Sequence, residues 1–327
     1  MSDTTPFRSI LVPVDGSRLA EQAIPTAMAI AQRTRASLRL ALVHRELYPL
    51  LSLEPVDISI RTRLALEKAD HDYMSELMQT LRPQLGEALT VALLKGPVAP
   101  TLTKYAKDIG ADLVVMTSHG RGGVRRAWLG SVADELVRTL ELPIIILRPE
   151  EKRAALQPVD LARIGVPLDG SPLAETVLEP VLALARLWAS EVSLVQAVRP
   201  IVLTSDLQIP FPTGYADQQT KIRQSAAQDY LEAVANRLRA GGVKASGAAL
   251  LGGAVTDTLM DFFQSEKAGL VAISTHGRGG VRRLVLGSVA DKLVRAAEMP
   301  VLVLRPPTAA RRPRTARHKT LEHSTHR

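Results

Sequence analysis

The sequence predicts an α/β protein made of two tandem, doubly wound, parallel five-stranded sheets that meet as a pseudo-dimer. Three observations carry this expectation. His119–Arg138 (HGRGGVRRAWLGSVADELVR) returns at His276–Arg295 (HGRGGVRRLVLGSVADKLVR), differing only at Ala127/Leu284, Trp128/Val285 and Glu135/Lys292. A repeat that faithful marks two copies of one unit. In each copy short apolar runs alternate with helical periodicity, the pattern of a parallel sheet covered by helices. At 46% hydrophobic but only 3% aromatic residues, the cores must be packed from Leu, Val, Ile and Ala, which suits buried parallel strands.

Ser9–Val14 (SILVPV) reads as the first strand, stopped by the turn Asp15-Gly16-Ser17. Ser17 is a good N-cap for a helix expected to run to about Arg33, with Leu19, Ala23, Ile24, Ala27 and Ile30 on one face. The second copy reads Ile164–Leu168, then Asp169-Gly170-Ser171 and Pro172. Proline suits a first helical position because its missing N–H is not needed there. The second strands, Ser37–Val43 and Glu191–Ala197, align without gaps. Proline-bearing loops follow at 48–55 and 200–212, then long helices over 58–81 and 217–239. Third strands over 90–94 and 248–251 end at glycine, and helices over 98–109 and 255–265 lead to the most hydrophobic runs, 113–116 (LVVM) and 270–273 (LVAI). These enter the repeated motif and its helix. Fifth strands, 143–147 (PIIIL) and 300–304 (PVLVL), are apolar and would be exposed edges unless the halves join through them. The expected organisation is a first domain over 1–149, a polar linker over 150–161, a second domain over 162–306 and a basic, disordered tail over 307–327.

Composition removes several functional classes. There are no cysteines, so disulfides and thiolate metal sites are excluded, and no Cys/His/Asp spacing points to zinc. The net charge of +8 is concentrated in the tail, at Arg311, Arg312, Arg314, Arg317, Lys319 and Arg327. The body is only mildly basic, so nucleic acid is not an expected partner. No signal peptide and no membrane-length apolar run is seen, and the expected address is the cytoplasm. Neither G-x4-GK-[ST] nor G-x-G-x-x-G occurs.

Ligands of doubly wound sheets sit beyond the carboxyl ends of the strands, where strand order reverses. Two segments should meet there in the first half, Asp15-Gly16-Ser17 and the loop from Thr117 to Gly123, with Gly130-Ser131 opening a helix. A helix N-terminus offers N–H groups and a positive dipole end to an anion. Gly130 admits close approach of phosphates, and Ser131 and Val132 can donate to them. Arg121, Arg125 and Arg126 add charge at the rim, while His119 beside the loop reads better as a structural hydrogen-bonder than as a catalyst. Asp15 would accept from ribose hydroxyls, and Val43 offers an apolar wall for a base.

With these residues in place the chain resembles the universal stress protein family, in its tandem form and with its adenine-nucleotide alpha hydrolase-like fold. The resemblance covers about Phe7–Arg148 and Ala162–Arg305. The nucleotide-binding signature of that family is glycine, two residues, glycine, nine residues, glycine, then serine or threonine. Its second and third glycines and its serine fall on Gly120, Gly130 and Ser131, and on Gly277, Gly287 and Ser288. The P-x-D of the first strand is Pro13-Val14-Asp15 and Pro167-Leu168-Asp169. The resemblance implies ATP, AMP or ADP, with Mg carried on the phosphates: adenine between the first two strands, ribose near the aspartate, phosphates along Gly120, Arg121 and Gly123, or Gly277, Arg278 and Gly280. Val132 and Val289 follow the motif serines. The first signature glycine is replaced by Thr117 and Ser274, and a positive φ there would disfavour threonine more than serine. Ala197 replaces Val43 and thins the base wall of the second half. The resemblance implies a nucleotide-responsive regulator with unidentified protein partners, at most a weak ATPase, as a homodimer or a pseudo-dimeric monomer. Two other readings stand beside it: a nucleotide-free scaffold, and a hydrolysing or nucleotide-transferring enzyme using Asp15 and Asp169 as metal-linked acids.

Overall fold

The computed structural model describes residues 7–44, 56–119, 129–149, 157–202, 214–275 and 287–307. The loop expected at 48–55, most of that at 200–212, linker residues 150–156 and tail residues 308–327 lie outside the described residues.

The first half runs β1 (Ser9–Val14), α1 (Arg18–Glu21), α2 (Ile24–Thr34), β2 (Ser37–His44), α3 (Val56–Leu85), β3 (Leu89–Lys95), α4 (Val98–Asp108), β4 (Leu113–Thr117), α5 (Ser131–Thr139) and β5 (Ile144–Leu147). The second repeats it as β6 (Arg163–Pro167), α6 (Pro172–Glu175), α7 (Leu178–Trp188), β7 (Glu191–Val198), α8 (Tyr215–Ala240), β8 (Lys244–Leu251), α9 (Val255–Ser265), β9 (Leu270–Ser274), α10 (Ser288–Ala296) and β10 (Val301–Leu304). Ser17 and Ser171 cap as the sequence predicts: each hydroxyl accepts the N–H three residues on, at 3.2 and 3.1 Å.

The two five-stranded sheets are joined into one, ordered β3-β2-β1-β4-β5-β10-β9-β6-β7-β8. Pairing is parallel within each half, and β5 meets β10 antiparallel with Ile145 opposite Leu302. The halves therefore do join through their fifth strands. Strand polarity divides the core into two layers. Val12 and Val14 of β1 share one layer with α2, α3, α7 and α8. Leu11 shares the other with α4, α5, α9 and α10, a layer that runs across the seam.

The seam is also bridged by polar contacts. The repeated helices α5 and α10 each carry an i,i+4 pair, Asp134–Arg138 at 2.7 Å and Asp291–Arg295 at 2.9 Å, and Arg295 reaches Asp134 at 3.7 Å. The Asp134 carboxylate holds the Arg138 guanidinium above its usual pKa. Arg305 donates to the Arg138 carbonyl, Arg33 lies 4.4 Å from the Trp188 ring centroid, and the Val159 N–H donates to Thr26 Oγ1 at 3.1 Å.

Two expectations need correction. The single helix expected from the Ser17 cap to about Arg33 is broken at Gln22-Ala23 into α1 and α2. Pro25 has no N–H to return to the Glu21 carbonyl, and its ring would crowd that carbonyl in a continuous helix. Pro180 stands in the same relation to Thr176, and the second half breaks likewise between α6 and α7. The strand predicted over 248–251 begins at Lys244. Its early residues, Lys-Ala-Ser-Gly, are weak strand formers, but a Cβ at Gly247 would stand 2.8 Å from Leu231 Cβ, so close packing against α8 requires small residues.

Candidate functional site

Strand order in the first half reverses between β1 and β4. These strands pair only at Ile10↔Leu113 and Leu11↔Val114, so they part toward their carboxyl ends. A cavity of about 180 Å³ opens there. It brings together Pro13, Val14, Asp15, Val43, Thr117, Gly130, Ser131 and Val132, all singled out from the sequence. Gly120, Arg121 and Gly123 lie outside the described residues, as do Arg125 and Arg126.

Each wall has a local cause. Asp15 closes the turn after β1: its Oδ1 accepts the Ser17 N–H at 3.0 Å and the Ser17 hydroxyl at 2.6 Å. The same aspartate therefore shapes the turn and lines the cavity. On the opposite wall Gly130 is the N-cap of α5, with no side-chain cap hydrogen bond. Its carbonyl accepts the Asp134 N–H at 2.9 Å, which starts the helical ladder and leaves the N–H groups of Ser131, Val132 and Ala133 ahead of it. Those three residues face the cavity, so the helix start is aimed at whatever occupies it. The Gly130 N–H donates to the Ser118 carbonyl at 2.8 Å, and a Cβ on Gly130 would stand 2.9 Å from that oxygen. The helix start is thus seated directly on the end of β4.

The remaining wall is apolar. Val43 is joined by Val98, Leu102 and Met116, with Ala20, Ser118 and His119 at the edges. Val98, Leu102, Met116 and Ala20 fall outside the segments the motif picks out, whereas Ser118 and His119 belong to its loop from Thr117 to Gly123. The signal existed for Val98 and Leu102, which share the apolar face of α4, and for Met116, whose neighbour Thr117 was named. Ser118 Oγ and His119 Nδ1 are in hydrogen-bond contact at 3.2 Å, in keeping with a structural role for this histidine.

The substituted first signature positions carry no backbone strain. Thr117 and Ser274 are the last residues of β4 and β9, and neither has positive φ. The Thr117 hydroxyl donates to the His119 carbonyl at 2.8 Å, pinning the departing loop. Ser274 Oγ instead contacts Thr176 Oγ1 at 2.9 Å.

In the second half Pro167 ends β6, Leu168 and Asp169 follow it, and Gly287, Ser288 and Val289 open α10. Ala197 packs in the same layer as Val43, and Asp169 Oδ1 accepts the Ser171 N–H at 2.9 Å. Gly277, Arg278 and Gly280 lie outside the described residues. Among the described residues no cluster of three or more His, Cys, Asp or Glu could hold a metal, and no helix is long and apolar enough to cross a membrane.

Comparison with known proteins agrees with this architecture. The model of the universal stress protein family matches residues 6–148 and again 161–305. A universal stress protein of Mycobacterium tuberculosis is 30% identical over 233 residues, covering 67% of this chain and 66% of that protein. One of Mycobacterium bovis is 28% identical over 207 residues, covering 63% of this chain, and the match spans 65% of its length. Among solved structures, a functionally unknown protein from Pseudomonas aeruginosa superposes with TM-score 0.63 at 19% identity, covering 92% of this chain and 94% of that one. A universal stress protein from Archaeoglobus fulgidus gives TM-score 0.60 at 16% identity, with 91% and 98% covered. These two likenesses bear on the fold. With both halves matched by the family model, the chain belongs to the universal stress protein family.

Proposed function

We propose that the chain is an adenine-nucleotide-binding regulator of the universal stress type, with its main site in the first half. The supporting observation is the cavity in which three kinds of wall converge: the α5 N-terminus, the Asp15 turn, and the apolar surface of Val43, Val98, Leu102 and Met116. These fit the three parts of ATP, or of AMP or ADP. The helix start suits phosphate, the carboxylate suits ribose hydroxyls, and the apolar wall suits the base. Mg would arrive on the phosphates. Asp15 is committed to its turn, and no described residue stands out as a general base, so any hydrolysis is slow. Nucleotide binding then acts by biasing conformation or protein-partner affinity. The second half offers the same motif at Asp169, Gly287 and Ser288, with a thinner base wall at Ala197.

The test is calorimetric titration of nucleotide-stripped protein with Mg-ATP, repeated on Ser131→Asp, Gly130→Asp and Gly287→Asp. Ser131 is exposed, and an acidic residue in a first helical turn favours the fold, so Ser131→Asp isolates repulsion of phosphate. Heat lost site by site supports the proposal. No heat and no thermal stabilisation of the wild type at millimolar ATP would move the reading to a nucleotide-free scaffold.

A further inference from the structure

A second opening lies in the second half, on the other face of the sheet. It is a cleft of about 570 Å³ between the carboxyl end of β7 and helix α8, with Gln196, Val198, Arg199, Arg223, Ala226 and Tyr230 on its walls. Gln196 alternates with Leu194 and Val198, so it faces α8, whereas the candidate nucleotide site uses the face of Val43 and Ala197.

The internal repeat shows what is unusual here. β2 and β7 align residue for residue, placing Gln196 where the first half has Leu42 and Val198 where it has His44. Gly86 and Gly242 mark the same turn, both at positive φ. The buried positions of the two long helices match Met74 with Leu231 and Leu81 with Leu238, so Ala227 stands where the first half has Asp70, and Gln224 where it has Glu67. Leu251 likewise replaces Lys95. In the first half this space is filled and self-satisfied. Leu42 is 2% exposed, His44 Nδ1 meets Asp70 Oδ2 at 2.6 Å, and Lys95 meets Glu67 at 2.9 Å. In the second half those groups are replaced, and among the described residues the space is open.

What replaces them is polar, and among the described residues it is uncompensated. A glutamine stands at a core leucine position, and its Oε1 is buried with no hydrogen-bond partner among the described residues. Such an atom costs free energy unless something donates to it. Arg199 and Arg223 are exposed, and among the described residues neither has an ion-pair partner. The nearby carboxylates are engaged: Glu175 accepts from Tyr230 at 2.9 Å and from Arg237, and Asp169 accepts the Ser171 N–H. The Tyr230 ring remains as a flat wall.

We propose that this cleft is a second ligand site, for a small organic anion. Arg199 and Arg223 take its phosphate or carboxylate, and a neighbouring hydroxyl or amine donates to Gln196 Oε1. Two guanidinium groups suit the charge, because charge-assisted bonds are the strongest available. Its anion-binding groups lie on the α8 face, while Gly170 and Ala197, next to the second-half nucleotide motif, also line the cleft.

The test titrates the full chain with glycerol 3-phosphate and with inorganic phosphate, followed by calorimetry. Arg199→Ala with Arg223→Ala should weaken both probes by at least about tenfold. Gln196→Leu, the residue of the first half, should weaken glycerol 3-phosphate and leave inorganic phosphate unchanged. Lys244→Ala, an exposed cation at the start of β8 and away from both openings, should change neither. Binding of neither probe up to about 10 mM overturns the proposal. So does binding that survives loss of both arginines, or glycerol 3-phosphate binding that is indifferent to Gln196→Leu.

Discussion

At Gly130 the backbone torsions, φ −64° and ψ 156°, are open to any amino acid. The demand for glycine therefore comes from the end of β4, where the Ser118 carbonyl would lie 2.9 Å from a Cβ. Gly130→Ala must push the start of α5 away from the end of β4. We expect a loss of about 1–3 kcal/mol in denaturant unfolding, and weaker nucleotide binding because the three leading N–H groups move with the helix. An alanine variant unchanged in both would show that the contact relaxes freely. Ser17 carries a second linkage, its hydroxyl accepting from Ala20 while donating to Asp15. Ser17→Ala should cost about 1 kcal/mol, removing the hydroxyl bonds to Asp15 and Ala20 while the backbone N–H of residue 17 still holds Asp15, and a lower thermal midpoint would report it. Both residues were legible in the sequence as motif positions. The reason for Gly130 was not, because a contact with residue 118 has no local signature.

Between elements, the two halves solve one packing problem with different side chains. Leu11 of β1 corresponds to Gly165 of β6, and Ala106 of α4 to Phe263 of α9, all within one core layer or strand position. Phe263 is fully buried, and a Cβ on Gly165 would stand 2.5 Å from its ring. Volume has moved from strand to helix. Gly165→Ala should therefore destabilise by about 1–3 kcal/mol, and pairing Gly165→Leu with Phe263→Ala should recover much of the loss of either change. A double-mutant cycle without coupling would sink this account. The same comparison shows what patterning could read. Strand and helix identity followed from apolar period, since each element buries one face or both. The break at Pro25 leaves no mark in the apolar pattern because the apolar face continues through it, and the first half of β8 leaves none because small residues carry little hydropathy. The cavity was legible where motif and topology coincided, at Asp15, Thr117 and Gly130–Val132. The cleft at Gln196 was not, since a lone glutamine in an apolar strand reads as an ordinary interruption.

Across the whole molecule, the antiparallel β5–β10 pair turns two domains into one sheet, and the layer containing α5 and α10 is continuous over it. The energetics of that seam are apolar. Ile145 and Leu302 face each other with no exposure, whereas Asp134, Arg138 and Arg295 remain partly open to water. Partly exposed ion pairs contribute at most about 1 kcal/mol, so Asp134→Asn should shift stability only slightly. Ile145→Asp would bury an unpaired carboxylate in both halves' shared core and should cost upward of about 3 kcal/mol. Because exposing β5 also strips β10, neither half can lose its sheet edge alone. Scanning calorimetry of the wild type should therefore give a single cooperative transition, moved down as one by Ile145→Asp. Two resolved transitions in the wild type would mean that the halves are stable separately, and that the seam joins finished domains rather than completing them.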